Sequence, residues 1–320
     1  MVTKILPLSY TYITKKNAEQ RIDNFLNNKF KQLPKNKIYK MLRTGQIRIN
    51  KKRIKPKYKL QIGDYIKIPP ITNICIEKKN TTANKKLLSL ISNNILYEDN
   101  YLLILNKPSG IAVHSGSGIN YGIIECLRIL YHENTYLDLV HRLDRWTSGA
   151  LIIAKKRSTL CELHKQLREQ KIKKKYLALV HGCWPKNLKY VTAPLLKIQS
   201  NNDHIVKINN NYGKFSKTCF KIKKRYTNNT LMSITPITGR THQIRVHAQY
   251  VNHPIVLDKK YGKINLDNII KNNCSSRRLL LHASSISFFH PKKQEFIDII
   301  APIDKEFKKT LNNFSKNYAV

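Results

Sequence analysis

Acidic residues are scarce in this chain. Asp and Glu number 19 against 59 Lys and Arg in 320 residues, a formal charge of +40. An imbalance of that size favours polyanions as partners and speeds their capture. Part of it has a plainer source, because Lys, Asn and Ile crowd the whole sequence and basic blocks can simply be solvated faces. Paired cysteines are lacking as well. Cys75, Cys126, Cys161, Cys183, Cys219 and Cys274 lie far apart with no C-x-x-C, which argues against a zinc ribbon or a thioredoxin-type motif and for a reducing compartment. No apolar run approaches the length of a membrane span, and the opening MVTKILPLSYTYITKK has no apolar signal core. The expectation is a soluble, cytoplasmic protein with no membrane partner. Neither H-E-x-x-H nor G-x-S-x-G occurs, so neither a metal site nor a serine hydrolase is expected.

What is present supports a folded chain. Hydrophobic residues make up 41%, enough for a real core, and the length fits one large domain with a small one. Residues 1–80 hold 20 Lys and Arg against 4 acids, so a quarter of the chain carries +16 of the charge. After an N-terminal extension over 1–17, Ile22, Phe25, Leu26 and Phe30 fall at helical spacing. A second helix is predicted from Pro34 to Thr44, with Ile38 and Leu42 on one face and Gly45 as its stop. Ile47 and Ile49 alternate with polar residues as in a strand, and Gly63-Asp64 turns into a strand over Tyr65–Ile68. A small module over 18–80 is therefore expected, with a linker at 81–92. From 93 to 320 short apolar strands alternate with turns and a few helices, without a βαβ rhythm. That pattern predicts an α+β domain on a large, mainly antiparallel mixed sheet. Thr159 and Glu162 suggest a capping box for a helix bearing Leu160, Leu163 and Leu167 on one face.

The segment LDLVHRLDRWTSGALIIAKK, 137–156, is the most informative. Apolar runs on both sides enclose a charged loop, and loops held by a rigid scaffold are where catalytic side chains tend to sit. Asp144 lies there between Arg142 and Arg145. A carboxylate among guanidinium groups stays ionised, which suits a nucleophile better than a general acid. Asp144, His141 and Ser148 could be read as a hydrolase triad. A Ser in T-S-G beside a turn is more often a structural hydrogen bonder. His242 and His247, with His141, are poorly spaced for a metal on one helical face, and the more ordinary reading is that His242 and Gln243 hydrogen-bond loops around the cleft.

The small module, RIDNFLNNKF through KKRIKPKYKLQIGDYIKIP, resembles an S4 domain, an RNA-binding unit. HRLDR-x-TSG strongly resembles the signature of the RluA/RluC/RluD family of pseudouridine synthases. NKPSGIAVHSG (106–116), KKKYLALVHG (173–182), TPITGRTHQIRVHAQYVNHPIVLDKKYG (235–262) and RLLLHASSISFFHP (278–291) resemble further family blocks, in the family's order. With the S4 module in front, the RluC-type branch is the nearest look-alike. Trp146 departs from the pattern, an unusual choice between Arg145 and Thr147.

The resemblance implies an isomerase that converts specific uridines of large-subunit (23S) ribosomal RNA to pseudouridine by flipping the base, without a cofactor. A monomer is the default expectation. By the same resemblance Asp144 is the catalytic carboxylate. Arg142 enters the RNA stack, and Tyr176 packs on the target base and accepts a proton. Arg245 pairs with the carboxylate, and Val246 is an apolar wall. Arg145, Lys107, His114, Arg240, His242 and Gln243 are expected to contact RNA beside it, and Gly239-Arg240 to form a turn at a phosphate. Lys37, Lys40, Arg43 and Arg48, with Lys35, are expected to hold phosphates from the small module, contacts that carry little sequence information. The competing reading is a non-catalytic RNA-binding or ribosome-assembly protein on the same fold. The joint presence of Asp144, Tyr176 and Arg245 favours the enzyme.

Overall fold

Two sets of apolar residues, one on each side of a polar stretch near residue 80, seed two cores. The structure, a computed structural model, describes residues 3–15, 17–30, 33, 35–75, 85–115, 121–131, 135–200, 203–274 and 276–317. It divides into two units, Met1–Thr82 and Ala83–Val320.

The first unit runs β1 (Thr3–Leu6), β2 (Ser9–Tyr12), α1 (Ile22–Lys29), α2 (Lys35–Arg43), β3 (Arg48–Ile49), β4 (Lys52–Arg53), β5 (Tyr65–Ile68) and β6 (Ile71–Cys75). Ile22, Phe25 and Leu26 on α1 meet Ile38, Met41 and Leu42 on α2, and Ile49, Ile66 and Ile68 close the core from the sheet. Gly45 takes φ +72° just beyond α2, the left-handed stop that glycine permits. Asp64 is buried in the turn before β5, where it accepts hydrogen bonds from the Gln61 amide at 2.8 Å and Asn50 Nδ2 at 2.9 Å. Four strands pair in the order β2-β5-β3-β4. Strand β2 falls inside the stretch expected as an N-terminal extension, yet it pairs with β5 along its whole length and belongs to the small sheet. Tyr65 lies between Tyr10 and Tyr12, with centroids 4.9 and 4.6 Å away. Pro34 and residues 81–84 lie outside the described residues, and Lys85–Ser92, expected as linker, is helical.

The second unit continues with α3 (Lys85–Ser92), β7 (Ile95–Glu98), β8 (Leu102–Lys107), α4 (Ile123–Leu130), β9 (Asp138–Leu139), β10 (Ser148–Ala154) and α5 (Arg157–Arg168). Then come β11 (Lys173–His181), β12 (Tyr190–Thr192), β13 (Leu195–Ser200), β14 (Asp203–Ile208), β15 (Lys217–Arg225) and β16 (Asn229–Pro236). The chain ends with α6 (Gln243–Tyr250), α7 (Ile264–Cys274), β17 (Leu281–Phe289), β18 (Phe296–Ile300) and α8 (Lys305–Asn317). Ten strands form one sheet, ordered β12-β15-β16-β11-β17-β10-β8-β7, with β18 on β17 and β9 on β10. Among the described strands, only β10 and β17 pair in parallel, at Ser148↔His282 and Gly149↔Ala283. The α+β class with a large, mainly antiparallel sheet is what the strand pattern predicted.

Strands β8 and β10 are covered on both faces. Leu103, Leu105, Leu151 and Ile153 enter one apolar cluster, and Leu102, Ile104, Ile152 and Ala154 enter another. Each such Leu or Ile contributes roughly 1.5–3 kcal/mol through burial, so these strands are the rigid middle of the fold. On α5, Leu163 is buried and Leu160 and Leu167 pack beside it, as their spacing predicted. The capping box is absent. Lys156 is the N-cap and makes no side-chain cap, while Thr159 lies buried within the helix.

Candidate functional site

The charged loop between β9 and β10 is held in place by its neighbours before any substrate is considered. Leu143 and Thr147 are buried, and the Thr147 amide closes a turn on the Asp144 carbonyl at 3.1 Å. His141 turns inward and its Nε2 accepts the Ile152 amide of β10 at 3.2 Å. Burial, with Lys174 adding, pushes this imidazole down to about 3, so it stays neutral and structural.

Beneath the loop lies Lys107, at the end of β8. Its ammonium donates to the carbonyls of Pro108, Ile111 and Arg145 at 2.8, 2.7 and 3.0 Å. The side chain is fully buried, so Lys107 is a clamp between two loops and not the RNA contact expected of it. Burial, then Arg278, pushes the ammonium down to about 7. Further stitches join the same loops: Gly110 N to Arg145 O and Arg145 Nε to Gly110 O, both 2.9 Å, and Ser109 Oγ to Trp146 O at 2.7 Å.

Where the loop enters β10, Gly149 takes φ +111°, and a Cβ there would overlap the Ala283 backbone on β17. The parallel pairing therefore requires glycine at this position. Ser148 is buried next to it. Arg278 Nη2 donates to its hydroxyl at 2.8 Å, leaving the hydroxyl to donate to His282 Nδ1 at 2.7 Å. His282 Nε2 in turn donates to the Ala301 carbonyl at 2.9 Å. The hydroxyl thus serves a structural chain, and its histidine partner is not His141. Asp144, His141 and Ser148 therefore form no hydrolase triad.

Asp144 emerges with its side chain 24% exposed, and Arg245 Nη1 donates to its Oδ2 at 3.0 Å. The two residues are 101 positions apart in sequence. Arg245 comes from α6, a helix with buried residues over most of its length. Its other nitrogens, Nε and Nη2, donate to the two oxygens of buried Asp258, each at 2.8 Å. Burial works against the guanidinium, but the hydrogen bonds and charge of Asp258, with Asp144 adding, outweigh it and hold Arg245 above its ordinary range. Asp258 went unnoticed in the sequence. An acid inside a block of bases, in a chain so poor in acids, was the available signal.

His242 precedes α6 in the left-handed region at φ +54°. Tyr261 accepts the Val206 amide at 3.0 Å and its hydroxyl lies 2.7 Å from His242 Nδ1, with Nε2 of the same ring 3.7 Å from Asp144 Oδ2. Burial holds His242 below its ordinary range, so the ring is neutral at neutral pH. Gln243 steadies this bend. Its Oε1 accepts from the Arg240 amide at 3.0 Å and Thr238 Oγ1 at 2.8 Å, and its Nε2 donates to Lys217 O at 3.0 Å. His247 is buried between the Ser216 and Thr218 hydroxyls, both at 2.9 Å.

Tyr176 stands on β11 where the register with β17 skips a residue, between Lys175↔Ser285 and Leu177↔His282. Such an irregularity re-aims a side chain. Burial, then the Asp144 charge, raises the phenol above its ordinary range, so it stays protonated. Asp144, Tyr176 and Arg245 line one cleft of about 690 Å³ together with Arg142, Lys174, Arg240, His242, Gln243 and Ile244. Val246 is outside the lining and packs on Leu195, Val206 and Tyr261, so it is not the expected wall. Arg145 and His114 are exposed but do not line the cleft. Lys40, Arg43 and Arg48 are exposed on the first unit and Lys37 is half-buried there. The site is thus a carboxyl group held by one guanidinium, beside a protonated phenol, in a cleft rimmed by basic residues.

Residues 20–66 match the S4 domain family and residues 101–250 the RNA pseudouridylate synthase family. The chain is 61% identical over 314 residues to ribosomal large subunit pseudouridine synthase C of Buchnera aphidicola subsp. Baizongia pistaciae, covering 98% of this chain and 99% of that one. The chain belongs to the RNA pseudouridylate synthase family. Another member of the pseudouridylate synthases, ribosomal large subunit pseudouridine synthase C of Escherichia coli (strain K12), is 48% identical over 97% of this chain and 98% of its own. The solved structure of human RNA pseudouridylate synthase domain containing 4 covers 72% of this chain and 95% of its own at a TM-score of 0.60 and 23% identity, a likeness of fold.

Proposed function

We propose that the protein converts uridines of large-subunit ribosomal RNA to pseudouridine, with Asp144 as its catalytic carboxylate. The observation that carries this reading is the Asp144–Arg245 ion pair in a basic cleft shared with the buried Tyr176 hydroxyl. The substrate follows from the relatives, whose names place their action on the ribosomal large subunit and which match nearly the whole chain.

The reaction breaks the C1′–N1 bond, turns the uracil and joins C5 to C1′. A proton leaves C5 and one arrives at N1, so atoms balance and no redox partner or group donor is consumed. Two routes begin at the Asp144 carboxylate: attack on C1′, or removal of the 2′ proton. Arg245 balances a charge that would be expensive to bury alone, by several kcal/mol as an order of magnitude. Asp258 positions Arg245, and His242 approaches the same carboxylate oxygen as a neutral ring. Tyr176 covers the flipped base. Because its phenol is protonated, it accepts a proton only as its own departs, which makes it a relay and not a resting base.

Extruding the uridine costs a few kcal/mol. Arg142, exposed on the cleft rim, fills the space left in the stack, and Arg240 takes a phosphate. Lys37, Lys40, Arg43 and Arg48 on the S4 unit capture the RNA backbone. The proposed chemistry asks for no second copy of the chain, so a monomer suffices, and the reaction belongs in the cytoplasm, where ribosomal RNA is assembled into subunits. Among the described residues no helix is long and apolar enough to cross a membrane.

The test is a map of pseudouridine in large-subunit RNA from cells lacking the gene, complemented with wild type or Asp144→Asn. Sites should vanish without the gene and return with wild type only, while purified Asp144→Asn still binds the RNA. An unchanged map without the gene would refute the substrate. Modification by Asp144→Asn at a near-normal rate would refute the role of Asp144.

A further inference from the structure

The chain has two tryptophans, and they are placed in opposite ways. Trp184 is 1% exposed, stacks on Phe220 at 4.5 Å and donates its indole N–H to the Leu188 carbonyl at 2.7 Å. Trp146 is 37% exposed, and its indole N–H has no acceptor among the described residues. Exposure of a single large hydrophobic is ordinary on a protein surface, so it is the surroundings of Trp146 that set it apart.

The surroundings of Trp146 are ordered. It sits two residues after Asp144, within about 7 Å of extended backbone. Its carbonyl is held by Ser109 Oγ at 2.7 Å. Its ring rests against Gly110, where φ is +86° and a Cβ would stand 3.3 Å from the indole. The Arg145 guanidinium carbon and the Lys259 ammonium lie 5.2 and 5.3 Å from the ring centroid. Neither cation forms an ion pair among the described residues. The nearest carboxylates along the chain, Asp144 and Asp258, are both engaged by Arg245. A fixed aromatic ring, 37% exposed, with two cations over it that form no ion pair among the described residues, suits a nucleotide: a π-surface for a base and charges able to turn to its phosphates.

We propose that Trp146 is a stacking subsite for an unpaired RNA base neighbouring the uridine in the cleft, with Arg145 and Lys259 on the adjoining phosphates. This rests on the reading of the cleft as the site of uridine isomerisation. Every base has a π-face, so the subsite accepts any base and fixes the path of the strand more than its sequence. It also gives exposed Arg145, which does not line the cleft, a place in RNA binding.

The test uses the full-length protein and an unmodified large-subunit RNA transcript. Trp184 is shielded, so quenching of tryptophan emission by RNA reports on Trp146. Wild type should be quenched and Trp146→Phe should not, although both bind. Trp146→Ala should raise KM about ten- to a hundredfold, the scale of one base–aromatic stack, with kcat nearly kept, and Trp146→Phe should recover most of the loss. Quenching that survives in Trp146→Phe would overturn the proposal. So would a Trp146→Ala variant with unchanged KM but lowered kcat and melting temperature, which would make the ring a brace for the catalytic turn. Failure of the cleft reading looks different: wild type would bind and quench on the transcript yet form no pseudouridine in it.

Discussion

The two units treat charge in opposite ways. Among the described residues of the first unit, the buried charged side chains are two acids, Asp23 and Asp64, each tied by hydrogen bonds, while its many cations remain at least partly in contact with water. The second unit buries Lys107, Arg245 and Arg278 along with Asp258 and Asp267. A cation in water attracts a polyanion at long range and is screened by salt. One inside the fold contributes little to capture at long range, but it fixes the positions of the backbone carbonyls and carboxylates it bonds. Capture and chemistry are thereby divided between exposed and buried charge.

After Asp144→Asn, the largest expected effect lies at a buried neutral group beside that acid. Tyr176→Phe should lower kcat by about 10²-fold, as loss of a proton-transfer group does, with RNA affinity kept. Burial and the Asp144 charge hold the phenol protonated, so it should add no limb to the pH–rate profile of wild type below about pH 10. A loss confined to KM would reduce Tyr176 to a stacking wall. Lys107→Met should come next. Three carbonyls lose their donor at a cost of about 3 kcal/mol, seen as a melting temperature lower by roughly 6–12 °C, while the salt slope of RNA binding stays put. If stability held and the salt slope dropped, Lys107 would be an RNA contact after all. The smallest effect belongs to the exposed set. Lys40→Ala with Arg43→Ala should weaken binding several-fold and reduce the salt slope by about one per lost phosphate contact, with stability changed by less than about 0.5 kcal/mol. An unaltered slope would place RNA on another face of the S4 unit.

Motif and periodicity made much of this legible. The loop around Asp144 carried its function in its residue types, and both helices of the S4 unit followed from their apolar spacing. Direction was harder to read. Lys107 is the last residue of a strand buried on both faces, so the alternation that tells inside from outside was missing, and a basic residue in a functional block passed for an RNA contact. Thr159 and Glu162 had the letters of a capping box, but α5 starts earlier, at Arg157, and tertiary packing took Thr159 into the core. The parallel register of β10 on β17 joins residues 134 apart, and nothing local announces it. Asp258 illustrates the same limit. Its partner is a turn of chain away, and only the fold shows that the acid grips Arg245 rather than water.

That grip has a consequence for how the site meets its substrate. With Nε and Nη2 occupied by Asp258, the guanidinium is locked in plane, and that plane aims one N–H of Nη1 at Asp144 Oδ2. Reorganisation of the carboxylate's surroundings is therefore completed when the chain folds, well before an RNA arrives, and the incoming sugar encounters a field already set for it.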